Sequence, residues 1–210
     1  MHKCKIQFIL NKFIVELTDC SNIYRTSKCS YTRVGNGFQQ IPVKQTRTII
    51  ELAFLQTMLA WEVFLEDSFI RYICGAETQS GYSPKCYLKP ISMEHSFDML
   101  RQDKPYIEWN NASNVLKLAK LYFKDGQPYR DALSPILQDL NRTRIIRNSI
   151  AHSSKASRKS LENLARDILG HKPNKLTPGL LLSLEYPNAN NSIFEYYIDI
   201  LRLASQRVIL

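Results

Sequence analysis

Residues 46–74, TRTIIELAFLQTMLAWEVFLEDSFIRYIC, decide the fold. Ile49, Leu52, Ala53, Gln56, Leu59, Ala60, Val63, Phe64, Asp67 and Ile70 recur at intervals of three and four, the repeat that places side chains along one side of an α-helix. Phe54, Leu55, Met58, Trp61, Leu65 and Phe69 add apolar surface off that side. The segment therefore reads as a long central helix contacted from several directions, running out near Gly75.

Working outward, the same periodicity recurs. In residues 5–20, KIQFILNKFIVELTDC, the positions Ile6, Ile9, Leu10, Phe13, Ile14 and Leu17 have helical core spacing, with Phe8 and Val15 widening the stripe and β-branched content leaving a strand as the competitor. Residues 92–102 form a short helix; Asn111 or Ser113 caps NVLKLAKLYFK, and Asp125-Gly126 closes it. Ser134 is the expected N-cap of residues 134–152, SPILQDLNRTRIIRNSIAH, with Pro135 in the first turn. SRKSLENLARDILG is a shorter helix ended by Gly170, and IFEYYIDILRLAS supplies the last one. Residues 21–45 and 173–191, rich in Gly, Pro, Asn and small polar residues, are expected as long loops. The fold class is all-α: one domain spanning 1–210, a bundle of about five or six helices with its core in residues 46–170 and elaborations at both ends.

The chain has 210 residues, 44% of them apolar and 22% charged, which excludes wholesale disorder and fibrous repeats. Its formal charge of +9 favours a polyanionic partner. That charge is localised: residues 1–48 carry 8 Lys and Arg against 2 Asp and Glu, and residues 141–172 again carry 8 against 2, whereas residues 49–140 carry 9 against 12. If folding brings the two basic regions together, they make one anion-binding face. Cys4, Cys20, Cys29, Cys74 and Cys86 contain no Cys-x-x-Cys pair, and with His2, His95, His152 and His171 they are poorly spaced for zinc. No metal or cofactor is expected. Without an apolar leader, and with runs such as Gly179–Leu182 far short of a bilayer, the expectation is a reduced, cytoplasmic protein with no transmembrane segment.

One constellation carries chemistry: Arg144, Arg147, Asn148 and His152 in RTRIIRNSIAHSS. On an ideal helix Asn148 lies within about 40° of His152, and Arg144 within about 40° of Asn148, while Arg147 and His152 differ by about 140°. A helix that loosens at Ser153-Ser154 lets the guanidinium and the imidazole reach one phosphate. Arginine offers a fixed fork of donors to a phosphate gaining charge in the transition state, and histidine exchanges protons near neutral pH. This suits metal-independent phosphodiester cleavage in which RNA supplies its own 2′-hydroxyl nucleophile. The bland alternative is a helix-end histidine facing the dipole, with arginines solvating a face.

These residues resemble the HEPN-domain signature: an Arg, then a polar residue, then a His four to six positions beyond the Arg, here Arg147-Asn148-x-x-x-His152. The flanking TRIIRNSIAHSS resembles the RiboL-PSP-type HEPN subgroup. The resemblance implies a helical bundle that forms a homodimer, sets two motifs across its interface and acts as a metal-independent endoribonuclease in a toxin or antiphage defence setting, alongside an inhibitory antitoxin or defence-system partner. It implies catalytic roles for Arg147, His152 and Asn148. Arg144, Lys155, Arg158 and Lys159 would bind substrate RNA, and an acid on the preceding long helix would support the site, with Glu62 preferred over Glu51 and Glu66.

A second match, Arg166-Asp167-x-x-x-His171, is rejected because Gly170 interrupts the helix before the His and Asp167 adds negative charge where phosphate would approach. Three readings therefore compete: an endoribonuclease, a catalytically inactive dimerisation or nucleic-acid-binding module, and, with less support, a helical DNA-binding regulator. Aromatics around Tyr24, Tyr31, Phe38, Tyr82 and Tyr87 could stack on bases in either of the first two.

Overall fold

The computed structural model describes residues 6–34, 37–78, 80–101 and 106–209. The fold is all-α apart from one hairpin, and nine α-helical segments occur among the described residues. In chain order they are α1 (Gln7–Lys28), the strands β1 (Tyr31–Val34) and β2 (Gly37–Gln40), α2 (Val43–Ile73), α3 (Met93–Arg101), α4 (Ala112–Tyr122), α5 (Tyr129–Leu133), α6 (Leu137–Ala151), α7 (Lys155–Leu169), α8 (Pro178–Ser183) and α9 (Ile193–Ile209). Six of these have eleven residues or more, the number the periodicity supports; α5 and α8 are too short to produce a repeat.

The chain divides into two compact units: Met1–Val15, Ala60–Asn141 and Ile200–Leu210 form the first, Glu16–Leu59 and Arg142–Asp199 the second. The core is thus wider than residues 46–170. Phe13 and Leu17 of α1 and Phe194, Tyr197 and Leu201 of α9 are all buried.

In the first unit Phe13 packs on Trp61 and Phe64 at centroid distances of 5.6 and 5.0 Å. Phe69 sits at the centre of a second cluster, within 6.2 Å of the rings of Trp109, Tyr122, Phe123 and Tyr129. Aromatic edges and faces attract beyond their area burial, so such a cluster fixes how α2, α4 and α5 meet. The buried hydroxyls are satisfied: Tyr129 shares a 2.8 Å hydrogen bond with Ser68, and Tyr72 donates to the Val208 carbonyl at 2.7 Å. Burial pushes both phenols above their ordinary range.

The second unit packs Tyr24 flat on Phe194, with centroids 4.3 Å apart, and Phe54 edge-on to the same ring. Its α9 begins with a reciprocal cap. The Ser192 hydroxyl donates to the Glu195 carboxylate at 2.8 Å, the Glu195 N–H donates back to Ser192, and Arg25 pairs with the same carboxylate. Thr177 caps α8 through the Leu180 N–H at 3.1 Å. Gly179 lies against the backbone of α2 so closely that a Cβ there would stand 2.5 Å from the Arg47 carbonyl oxygen.

Several sequence expectations are corrected. Residues 21–45 are not a loop: α1 runs on to Lys28, followed by the hairpin. Cys20, Tyr24 and Ser27 continue the buried row begun by Phe13 and Leu17, and Ser21 and Ser27 satisfy their hydroxyls on the Leu17 and Tyr24 carbonyls. Small polar residues that suggested a loop by composition are therefore compatible with a helix. The loop at 173–191 contains α8. Ser134 is no N-cap, since it lies in a 3-10 turn, Ser134–Ile136, that leads into α6 without a side-chain capping bond.

On α2 the stripe is rotated. Ile50, Ala53, Phe54, Met58, Trp61, Phe64, Leu65 and Phe69 are buried, whereas Leu52, Leu59 and Val63 are exposed. Thr57 and Ser68 belong to the buried row because their hydroxyls bond back to the Ala53 and Leu65 carbonyls. By length and composition α2 is also the one helix among the described residues apolar enough to cross a membrane, a property that a search for unbroken apolar runs overlooked. Its Trp61, Phe64 and Phe69 are packed against the chain's own rings.

Among the described cysteines, Cys20, Cys29, Cys74 and Cys86 are free thiols; Cys4 and His2 lie outside the described residues.

Candidate functional site

The elbow between α6 and α7 places most of the expected site in the second unit. Leu140, Thr143 and Ile146 bury one side of α6, which leaves Arg144, Arg147 and Asn148 half-buried on its flank. The His152 N–H still donates to the Asn148 carbonyl at 2.9 Å, so the helical hydrogen-bond ladder reaches His152 although α6 ends at Ala151. Arg144, Asn148 and His152 consequently succeed one another at intervals of four, a single row on the helix surface. Arg147 starts off that row. Its Nη1 donates to Asn148 Oδ1 at 3.3 Å, which turns the guanidinium toward it.

The turn is fixed from both sides. Ser149 Oγ bonds to the Ile145 carbonyl at 2.8 Å and reaches the Ser157 carbonyl of α7 at 3.2 Å. Ser154 caps α7, its Oγ accepting from the Ser157 N–H at 3.1 Å. Beyond the cap come Lys155, Arg158 and Lys159, all exposed, with no acid in the first turn. Cations at a helix N-terminus oppose the helix dipole by about 0.3–1 kcal/mol each. No ion pair among the described residues involves Arg144, Lys155, Arg158 or Lys159, and no hydrogen bond among them holds the exposed His152 imidazole.

The second Arg-His match has different surroundings. Arg166 donates to Asn163 at 3.2 Å and lies 3.9 Å from Glu162, whose carboxylate also receives Lys172 at 2.7 Å. The Lys172 hydrogen bond, aided by Arg166 and Arg158, holds Glu162 below its ordinary value. Gly170 adopts a left-handed φ of 76° and ends α7, and the His171 ring meets the Leu169 carbonyl at 3.1 Å.

Arg142 precedes the motif arginines on α6 and bridges to other elements. Its Nη2 pairs with Asp167 at 2.6 Å and its Nη1 donates to the Tyr186 hydroxyl at 3.2 Å. Burial alone would lower its pKa; Asp167 more than offsets that, with a further push from Tyr197, and the net direction is upward. Tyr186 in turn stacks on Tyr196 at 3.7 Å. No sequence signal announces this bridge, because its partners lie 25 and 44 residues away.

The three acids considered for support have separate settings. Glu62 is half-buried on α2 in the first unit, whereas the motif belongs to the second. Glu66 shares the first unit; burial first, then Asp67, raises its pKa. Glu51 does lie in the second unit, but its carboxylate accepts the Gly179 N–H at 2.8 Å, which fastens α8 to α2. Of the aromatics proposed for stacking, Tyr24 is buried within α1, while Tyr31, Phe38, Tyr82 and Tyr87 are exposed. No cluster of three or more His, Cys, Asp or Glu capable of holding a metal occurs among the described residues.

Comparison of the chain with protein-family models, curated proteins and solved structures finds no match.

Proposed function

We propose that the chain is a metal-independent endoribonuclease of the HEPN type, acting at Arg147 and His152. The observation that carries this reading is the Arg147–Asn148 contact, which directs a guanidinium toward the row ending in His152, beside an α7 start that gathers Lys155, Arg158 and Lys159 with no acid in its first turn. The electrostatic cost of placing Lys155, Arg158 and Lys159 at a helix N-terminus is relieved when a phosphate backbone lies across them.

In this mechanism the His152 imidazole takes the proton from the RNA 2′-hydroxyl as its oxygen attacks phosphorus. The bond from phosphorus to the 5′-oxygen breaks, that oxygen receives a proton, and the products end in a 2′,3′-cyclic phosphate, or its opened 3′-phosphate, and a 5′-hydroxyl. Arg147 donates to the phosphoryl oxygens as charge accumulates, Asn148 holds the guanidinium in place, and Arg144, Lys155, Arg158 and Lys159 position the strand. A homodimer that juxtaposes two motifs would supply further donors; a cytoplasmic toxin or antiphage role with an inhibitory partner follows from the resemblance.

One observation favours the alternative of an inactive HEPN-like binding module: no hydrogen bond among the described residues orients the His152 ring. Incubating single-stranded RNA with the protein in excess chelator separates the two readings. The nuclease yields cyclic or 3′-phosphate ends and leaves DNA and 2′-blocked RNA intact; RNA that binds but stays whole overturns it. Light scattering at micromolar concentration tests the dimer, and a monomer removes the composite site.

A further inference from the structure

We propose that the β1–β2 hairpin is an arm that binds single-stranded RNA, with Tyr31 and Phe38 as stacking platforms; the inference rests on the RNA-directed reading above and names where unpaired bases are held. The strands pair in the register Tyr31↔Gln40, Thr32↔Gln39, Arg33↔Phe38 and Val34↔Gly37, and Ile41 N–H to the Ser30 carbonyl extends the ladder by one bond. Directly paired residues share a face, and faces alternate along a strand, so Tyr31, Phe38 and Gln40 stand on the same face.

Both rings are open to solvent, Tyr31 being 63% and Phe38 79% exposed, and all four residues of β2 are exposed. A two-stranded hairpin is marginal in water, and these rings bury little that would stabilise it. They occupy diagonal positions, roughly 7–8 Å apart at the backbone. A strand stretched beyond its stacked rise of about 3.4 Å per nucleotide can lay successive bases on each ring.

Charge selects the partner. From residue 20 to residue 50 the chain has five Lys and Arg and no Asp or Glu: Arg25 and Lys28 precede the hairpin, Arg33 lies opposite Phe38 in the register, and Lys44 and Arg47 follow. Arg25 meets Glu195, while Lys28 and Lys44 remain exposed. Two aromatic rings set in polar, uniformly basic sequence match a polyanion that carries flat rings; an apolar protein surface would find two isolated rings among glutamines and cations. The hairpin and the α6–α7 elbow belong to the same compact unit, which holds 14 Lys and Arg against 8 Asp and Glu.

The test is fluorescence anisotropy of the full chain with a labelled, 2′-O-methylated single strand, which cannot be cleaved. Tyr31→Ser with Phe38→Ser should weaken binding about 10²-fold, and each single change about tenfold, with the salt dependence unchanged. An abasic strand should bind wild type as weakly as the intact strand binds the double variant, whereas Tyr31→Phe with Phe38→Tyr should restore affinity. Circular dichroism of the serine variant should match wild type. Unchanged affinity in the serine variant, equal binding of abasic and intact strands by wild type, or no binding by wild type overturns the arm. The nuclease reading fails separately: cleavage of unmodified RNA that survives Arg147→Ala with His152→Ala sinks that site and leaves the arm standing if the anisotropy result holds.

Discussion

Arg147 and His152 close α6; Arg166 and His171 close α7 with the same spacing and a polar residue after each Arg. Both helices have 15 residues. What separates them is the chemistry of their neighbours. At the end of α7 every charged group is answered: Arg166 by Glu162 and Asn163, Asp167 by Arg142, Lys172 by Glu162. Around the end of α6, Arg147 donates to the neutral Asn148 amide, and the adjacent α7 start carries Lys155, Arg158 and Lys159 with no acid in its first turn. A motif defined by spacing is blind to most of this difference, because Glu162, which answers both Arg166 and Lys172, lies outside its pattern. An anion approaching α7's end would have to displace existing partners, whereas at the elbow it would relieve repulsion.

The largest expected effect breaks the comparison outright. Arg147→Ala and His152→Ala should each lower RNA cleavage by roughly 10² or more with helicity by circular dichroism unchanged, because each removes an interaction made chiefly in the transition state. Arg166→Ala with His171→Ala should cleave within about twofold of wild type. The reverse ranking in a gel-based rate assay would mean that the α7 end is the working site.

Next in size is the charge at the elbow. Replacing Lys155, Arg158 and Lys159 together by Gln should weaken binding of an uncleavable strand roughly 30-fold at 0.1 M salt and reduce the log–log salt slope by about two, as measured by titration at several salt concentrations. An unaltered slope would show that these cations do not meet phosphate.

Arg142→Ala sharpens the structural side. Its guanidinium is mostly buried but Asp167 is half in water, so the loss after allowing for solvent screening is about 1–2 kcal/mol of stability in a denaturant titration. Cleavage per folded molecule should stay near wild type, which separates this arginine from Arg147.

Glu162 gives the smallest and most local readout. Its folded pKa is depressed from an ordinary value of about 4.5, so the contribution of its contacts is present above that value and fades as pH falls through the lower folded one. A carboxyl NMR titration should place Glu162 below 4.5, and Lys172→Ala should move it upward.

Much of this was legible in the chain, and the misreadings have a common cause. Helical spacing located α2, α4, α6, α7 and α9, and Gly170 gave the end of α7 correctly. The buried row of α2 was misplaced because Thr57 and Ser68 count as polar in a periodicity argument, yet each hides its hydroxyl on a carbonyl of its own helix. Ser21 and Ser27 concealed the second half of α1 in the same way. At the site, the local pieces were readable: the row Arg144, Asn148, His152, spaced by four, follows from helix geometry alone. The Arg142 bridge to Asp167 and the Glu51 contact to Gly179 were invisible, because both depend on partners brought close only by folding.

The approach of Gly179 to the Arg47 carbonyl bears on how this chain could be traced through descent. Replacements at the elbow alter exposed or half-exposed side chains, but any side chain at position 179 must lift α8 from α2. A sequence that has diverged beyond ordinary similarity should therefore still carry a glycine directly after the helix-opening proline, together with an acceptor side chain at position 51 for its N–H. Homologues that keep this pair while losing Arg147 or His152 would share the scaffold without the residues on which the proposed nuclease rests.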